Sequence, residues 1–196
     1  MPDDADLQPM VAAEFQHLAD FLASATPGQW DAPSLCEGWR VREVVAHMTM
    51  AARYDEAAFM AELQDCGFDF TALSNKVAAR DGALDTAELV ANLRSDTMAQ
   101  WAPPGGGYRG ALNHVVIHSL DITEPLGARR LHSNDTMRVI LDDLTAGGGH
   151  QHFDVPIDDK RFEATDIDWS YGDGADVLTG TAATIAVTLC GRQPAT

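Results

Sequence analysis

The chain has 196 residues, of which 45% are hydrophobic and 22% are charged. This length fits one domain, or one domain with a small appendage, and is sufficient to bury an apolar core. Its 30 acidic and 13 basic residues give a net charge of −17, which argues against a nucleic-acid-binding surface and a surface for anionic membranes. The sequence shows neither a signal-peptide pattern nor an apolar run of membrane-spanning length, and its three cysteines lack the spacing of a disulfide framework or a thiolate zinc site. We therefore expect a cytoplasmic protein.

The first two thirds of the chain predict a helical bundle. Val11, Phe15, Leu18 and Leu22 recur at helical spacing in a segment that ends at Pro27-Gly28. A loop with two tryptophans, residues 29–39, follows. Comparable apolar stripes predict the full set of helices over residues 8–25, 40–65, 70–80, 85–101 and 110–123. Asp85, followed three residues later by Glu88, resembles a capping pattern, and residues 103–107 are expected to interrupt the helices.

The pattern changes after Gly127. Ser133-Asn134-Asp135 is typical of a helix start, and the short helix that follows is expected to end at Gly147. Residues 161–171 partly alternate and predict a strand, with residues 176–178 as its hairpin partner. Residues 180–190 fit either a helix or a strand. The predicted fold is mainly α: a four-helix bundle over residues 1–128, then a small α+β C-terminal subdomain over residues 129–196.

Three histidines form the strongest candidate site. His114 and His118 are four residues apart, so on a helix both side chains project from one face and can share a metal ion. His47 lies beside the apolar stripe of an earlier helix, and facing helices of a bundle bring such ligands together. Three imidazoles with an open fourth position suit zinc, nickel, copper or iron. The alternative is that all three histidines are buried, hydrogen-bonded and without metal.

Other polar residues give weaker signals. Asp121 lies one turn after His118, where it either orients the imidazole as a hydrogen-bond acceptor or serves as a polar residue near the helix end. Cys36 fits an inert loop or buried thiol better than a reactive one. His17 and His132 have no partner in sequence, and the pair His150 and His152 could bind metal only on a strand.

Two motifs carry a family resemblance. Residues 30–48, WDAPSLCEGWRVREVVAHM, and residues 114–127, HVVIHSLDITEPLG, are fairly specific, and residues 162–170 with 180–192 resemble the C-terminal part of the same family. Together they resemble the mycothiol-dependent maleylpyruvate isomerase family, which belongs to the wider DinB-like four-helix bundles. The resemblance covers most of the chain.

The resemblance implies a divalent metal, commonly zinc or nickel, held at His47, His114 and His118. The resemblance implies a glutamate in the isomerase, and an aspartate in many relatives, at the position that His114 occupies here. An all-histidine set adds no negative charge, so the metal would be a stronger Lewis acid than in the isomerase. The isomerase also relies on a C-terminal arginine, for which Arg192 is the nearest match here. Mycothiol is the implied cosubstrate.

The function that follows is a metal-dependent enzyme that activates a low-molecular-weight thiol, mycothiol or a similar one, for isomerisation of, or transfer to, a small electrophile. A metal-assisted hydrolase and a non-catalytic protein that binds a small ligand or a metal are the alternatives. The expected partners are therefore the small electrophile and the thiol. Bundles of this kind often dimerise through helix faces, which leaves a homodimer open.

Overall fold

The structure, a computed structural model, describes residues 2–193 and is mainly helical, as predicted. A 3₁₀ turn over Asp4–Leu7 precedes the first helix. The helices are α1 Gln8–Ala23, α2 Pro27–Trp30, α3 Val41–Met48, α4 Met50–Arg53, α5 Glu56–Asp65, α6 Phe70–Asp81, α7 Thr86–Leu93, α8 Asp96–Gln100, α9 Gly107–Thr123, α10 Asn134–Leu144 and α11 Ala182–Leu189. The strands are β1 Lys160–Ala164, β2 Ser170–Tyr171 and β3 Asp176–Gly180.

The bundle is built around α1, α3 and α9. Helix α1 packs against α7, α8 and α9, while α3 packs against α6 and α9. The apolar stripe that predicts α1 is fully buried, since Val11, Phe15, Leu18 and Leu22 are each at most 1% exposed. Among the described residues, no helix is both long enough and apolar enough to cross a membrane.

The single helix predicted over residues 40–65 is wrong, because the chain forms α3, α4 and α5 there. Thr49 leaves the helical conformation and its hydroxyl donates to the carbonyl oxygen of Val45 at 2.7 Å. Tyr54 is extended, and Asp55 then accepts from the amide of Ala58 at 2.8 Å to start α5. Side-chain hydrogen bonds to the backbone compete with helix continuation at these residues. His47 consequently lies at the end of a short helix.

The predicted helix over residues 85–101 is also divided. Ser95 ends α7 and caps α8, since its hydroxyl accepts from the amide of Met98 at 3.3 Å. The capping role predicted for Asp85 is confirmed by its bond from the amide of Ala87. The predicted loop over residues 29–39 begins with the last residues of the short helix α2.

Helix α9 begins earlier than predicted and is capped from far away in the sequence. Gly107 has a left-handed φ of +59°, and the carboxylate of Asp4 lies against its Cα, where a larger residue would collide with it. Asp4 accepts hydrogen bonds from the amides of Tyr108 at 3.1 Å and Arg109 at 2.9 Å. The predicted interruption over residues 103–107 is confirmed for residues 103–106, whereas Gly107 is the first residue of α9.

The C-terminal part contains a mixed three-stranded sheet with the order β2-β1-β3. Phe162 pairs with Tyr171 in the antiparallel ladder and with Leu178 in the parallel one. The predicted continuous strand over residues 161–171 is therefore wrong, and residues 176–178 are not its hairpin partner. Parallel pairing arises because the chain crosses over β1 before it enters β3. Residues 182–189 are helical, which decides between the two predictions made for that segment.

Candidate metal centre

The end of α3 and the middle of α9 meet inside the bundle and bring three histidines together. The ring centroids of His47 and His114 lie 5.4 Å apart, those of His47 and His118 5.1 Å, and those of His114 and His118 4.8 Å. One nitrogen from each ring lies within 4.8 Å of the other two. The helical spacing of four between His114 and His118 accounts for the shortest of these distances.

Aromatic rings surround the three imidazoles. The ring of Trp39 lies 5.1 Å from that of His47, and the ring of Trp101 lies 5.0 Å from that of His114. Phe70 approaches His47 edge-on at 6.4 Å. This wall removes water from one side of the site and strengthens electrostatic interactions inside it.

Asp121 orients His118. Its Oδ2 lies 2.9 Å from Nδ1 of His118, and the carboxyl is fully buried. Burial opposes ionisation of Asp121, but the hydrogen bond with His118 and the pairing with Arg192 lower its pKa to about 2. The carboxylate can therefore only accept, so Nδ1 of His118 carries the hydrogen and Nε2 keeps its lone pair.

Arg192 completes this cluster from the chain beyond α11. Its Nε donates to Oδ1 of Asp121 at 3.0 Å, and its Nη2 donates to Oδ2 at 3.2 Å. Nη1 donates to the carbonyl oxygen of Cys190 at 2.7 Å, and the guanidinium lies 5.3 Å from the ring centroid of Phe153. The residue that the resemblance identified thus contacts the carboxylate beside the histidines.

Cys36 joins the same carboxylate from the loop before α3. Its thiol donates to Oδ2 of Asp121 at 3.1 Å, and the amide of Leu35 donates to the carbonyl oxygen of Asp121. Burial and the neighbouring negative charge of Asp121 raise the pKa of the Cys36 thiol to about 12. The interpretation of Cys36 as an inert thiol agrees with this geometry, but its hydrogen bond to Asp121 was not foreseen.

We expect Cys36 to resist alkylation in the folded protein. A thiol with a pKa of about 12 has only about one part in 10⁴ of thiolate at pH 8, and the thiolate is the reactive form. Cys190 is buried and has a pKa of about 12 as well, whereas Cys66 is partly exposed near the end of α5. Peptide mapping after iodoacetamide treatment should find label on Cys66 alone until denaturant is added. Rapid labelling of Cys36 in the native state would contradict this arrangement.

The three histidines are suited to hold a metal ion. Burial and the nearby His118 lower the pKa of His47 to about 3, and burial with the two neighbouring imidazoles lowers the pKa of His114 well below its usual value. Both rings are therefore neutral at pH 7, which is the state that binds metals. Nδ1 of His47 is buried and has no hydrogen-bond partner within residues 2–193. An unpartnered nitrogen beside two other imidazoles fits a metal ligand.

The metal-free protein should lose stability as the pH falls below neutrality. The folded-state pKa values of His47 and His114 lie below the ordinary 6.5, so the unfolded chain binds more protons between about pH 3 and 6.5. The stability that the two neutral imidazoles provide is complete above pH 6.5 and is lost towards pH 3. Urea unfolding of EDTA-treated protein at pH 7, 6 and 5 should show a proton uptake on unfolding that rises as the pH falls and reaches about two protons near pH 5.

A His114→Leu variant tests the origin of this proton uptake. We expect this variant to take up about one proton fewer than the wild type when it unfolds, as measured by the pH dependence of its unfolding free energy. The exposed His152 provides the control, since His152→Ala should keep the wild-type dependence. An unchanged pH dependence in His114→Leu would assign the uptake to other groups.

A pocket of about 520 Å³ opens onto His47, His114 and His118. Arg192 lines it as well, so the predicted catalytic arginine shares a cavity with the predicted ligands. Three further polar residues line the pocket and were not predicted: Asn113, Asp143 and His152. Asn113 directly precedes His114 on α9, whereas Asp143 and His152 come from α10 and the 3₁₀ turn after it. His150 and His152 lie on a 3₁₀ turn, not the strand that joint metal binding requires.

Comparison with known proteins agrees with this fold. The family model described as the mycothiol maleylpyruvate isomerase N-terminal domain matches residues 11–123, which is more than half of the chain. A solved structure of the mycothiol-dependent maleylpyruvate isomerase is 16% identical, has a TM-score of 0.58, and is matched over 98% of this chain and 90% of that one. A histidine-to-alanine mutant of that enzyme gives 15% identity and a TM-score of 0.57 over the same shares. No curated protein gave a significant match. The chain therefore belongs to the mycothiol maleylpyruvate isomerase N-terminal domain family.

Proposed function

We propose that the protein is a divalent-metal-dependent enzyme that uses a low-molecular-weight thiol, mycothiol, to isomerise a small electrophilic acid or to form an adduct with it. One observation carries the proposal: three imidazole nitrogens lie within 4.8 Å of one another in a pocket that also holds Arg192. Family membership supports mycothiol as the thiol and isomerisation as the reaction class.

His47, His114 and His118 would hold the metal, for which zinc and nickel are the candidates. Neutral imidazoles suit both ions. When bound, such an ion lowers the pKa of a thiol or a water molecule and polarises an oxygen of the substrate. The set of three nitrogens leaves a coordination position open, as catalytic sites require.

Arg192 is suited to bind an acidic substrate. Its bonds to Asp121 and to the carbonyl oxygen of Cys190 use three of the five guanidinium N–H groups, which leaves one on Nη1 and one on Nη2. Two N–H groups on a planar guanidinium match a carboxylate oxygen pair. Because the solved neighbours are named as maleylpyruvate isomerases, an unsaturated keto acid is the substrate class that we propose.

The isomerisation needs no atoms beyond the thiol and the substrate. The thiolate sulfur adds to one carbon of the conjugated double bond, a C–S bond forms, and the electron pair moves to the carbonyl oxygen. Rotation about the new single bond follows, and return of the electron pair expels the thiolate with the double bond in the other geometry. Arg192 holds the acid in place, and the rings of Trp39 and Trp101 limit the access of water.

A reaction assay with purified protein tests the proposal. Protein loaded with zinc or nickel is mixed with mycothiol and maleylpyruvate, and the isomer is followed by absorbance and chromatography. Turnover that depends on the thiol supports the proposal. The Arg192→Met variant should turn over more slowly, and its KM should rise more than that of the His152→Ala variant. Ester hydrolysis without thiol would favour a metal-assisted hydrolase, and ligand-dependent melting without product would favour a binding protein. Either result contradicts the proposed reaction.

Three further proposals rest on the sequence. They are the division into domains at residue 128, a cytoplasmic location, and homodimer formation through helix faces. Size-exclusion chromatography with light scattering checks the last of these.

A further inference from the structure

A second groove, of about 720 Å³, lies between α1 and the start of α10. His17, Arg129, Arg130, His132 and Asp166 are among the residues that line it. Among the described residues, none lines both this groove and the pocket of the metal centre. Any ligand of the groove would therefore bind apart from the three histidines of that centre.

The groove gathers positive charge in an acidic protein. Arg129 and Arg130 are adjacent and belong to a set of only 13 basic residues in the chain. Nη2 of Arg130 donates to Oδ1 of Asn134 at 2.6 Å, but its Nη1 is buried and has no hydrogen-bond partner within residues 2–193. A buried guanidinium nitrogen without a partner suits a ligand with acceptor oxygens.

Asp166 only partly offsets this charge. Its Oδ1 accepts from the amide of Ala182 at 2.7 Å, where it helps to start α11. Its Oδ2 lies 3.9 Å from Nε of Arg130, at the outer limit of an ion pair. The carboxylate thus lies beside the arginine and leaves Nη1 free.

His132 also lines the groove and is held in place by a residue of α1. Its side chain is fully buried, and its Nδ1 lies 2.7 Å from Oε2 of Glu14. Burial opposes ionisation of Glu14, but the hydrogen bonds from His132 and Thr136 outweigh it and lower the pKa of the carboxyl. Nδ1 of His132 therefore donates to Glu14. Nε2 is buried and, in the described part of the chain, without a partner, and its lone pair can accept only from a ligand oxygen that carries a hydrogen.

The start of α10 adds to the positive potential. This helix has 11 residues, and Ser133 and Asn134 in its first turn line the same groove. The amino end of a helix carries partial positive charge and favours anions.

We propose that this groove binds a small oxyanion, the phosphate or carboxylate group of a metabolite, through Arg129 and Arg130. Phosphate and carboxylate share the acceptor oxygens that these donors recognise. The two sources are separated by titration with potassium phosphate and, in a second arm, with potassium succinate.

The experiment follows binding at constant ionic strength and pH 7 by calorimetry and by the side-chain NMR signals of His132. We expect one saturable site, a shift of the His132 signal, and at least about tenfold weaker binding in the double variant Arg129→Gln, Arg130→Gln, because two charge-assisted donors are lost. Arg138→Gln is the matched control, since Arg138 pairs with Asp135 on the same helix outside the groove. It should bind like the wild type.

Arg129→Gln alone, at an exposed residue, gives a second test if the double variant proves unfolded by circular dichroism. It should weaken binding severalfold. No saturable binding of either anion, equal binding by wild type and Arg129→Gln, or an unmoved His132 signal would overturn the proposal.

Discussion

Replacing His118 by alanine is expected to remove the metal from the protein while the bundle stays folded. Wild-type protein purified without an affinity tag should contain about one equivalent of zinc or nickel, or recover it when the ion is added. The variant should bind the ion at least about 100-fold more weakly than the wild type. Loss of a residue that only hydrogen-bonds to a metal ligand already costs about 10–100-fold in affinity, and His118 is itself a proposed ligand. Elemental analysis and titration with a competing chelator measure both quantities.

The matched control for His118→Ala is His152→Ala, which removes an imidazole from the rim of the same pocket. Its metal content should equal that of the wild type. The substitution at His118 leaves Asp121 bonded to Arg192 and Cys36, so the fold has a reason to persist. The metal centre would have no basis if wild-type protein contained less than about a tenth of an equivalent of metal and bound no more when zinc or nickel was added.

Replacing Asp121 by alanine is expected to cause the largest loss of stability of any substitution at the site. The carboxylate is fully buried and accepts from Arg192, Cys36 and His118, so its removal leaves the partly buried guanidinium without its counter-charge. Removal of one partner of a buried pair costs about 3–5 kcal/mol in unfolding free energy. Urea unfolding followed by circular dichroism measures the loss.

Asp135→Ala provides the comparison, because Asp135 pairs with Arg138 at 2.9 Å but its side chain is 88% exposed. An exposed pair contributes little, so this variant should unfold nearly as the wild type does. The pKa of Asp121, about 2, gives a second test. The contribution of this carboxylate to the free energy of unfolding is complete above about pH 4 and is lost as the pH falls through 2. If Asp121→Ala were as stable as Asp135→Ala, the buried cluster would not hold α9 and the C-terminal residues together.

Much of the bundle was predictable because burial follows helical periodicity. The stripe from Val11 to Leu22, the spacing of His114 and His118, and the caps at Asp85 and Ser133 all act within a few residues of one another. The breaks at Thr49 and Tyr54 were missed because an apolar stripe continues across them. The sheet was missed for a different reason: parallel pairing of β1 and β3 depends on a crossover that local alternation does not encode.

The site was predictable only as far as single residues. His47, His114, His118 and Asp121 could be named from spacing, and Arg192 from the family resemblance, but not the contacts among them. Cys36 and Arg192 reach Asp121 across 85 and 71 residues, respectively. His132 lacked a partner in the sequence because Glu14 lies 118 residues away. Contacts of this range follow from packing and leave no periodic signal in the sequence.

Helix α9 is held at both ends by distant parts of the chain. Asp4 caps its first turn across 105 residues, and Arg192 binds Asp121 near its last turn across 71 residues. During synthesis on the ribosome, the segment with His114 and His118 therefore emerges before one of its two anchors exists. The ion pair that holds Asp121 beside His118 can therefore form only after residue 192 has been made.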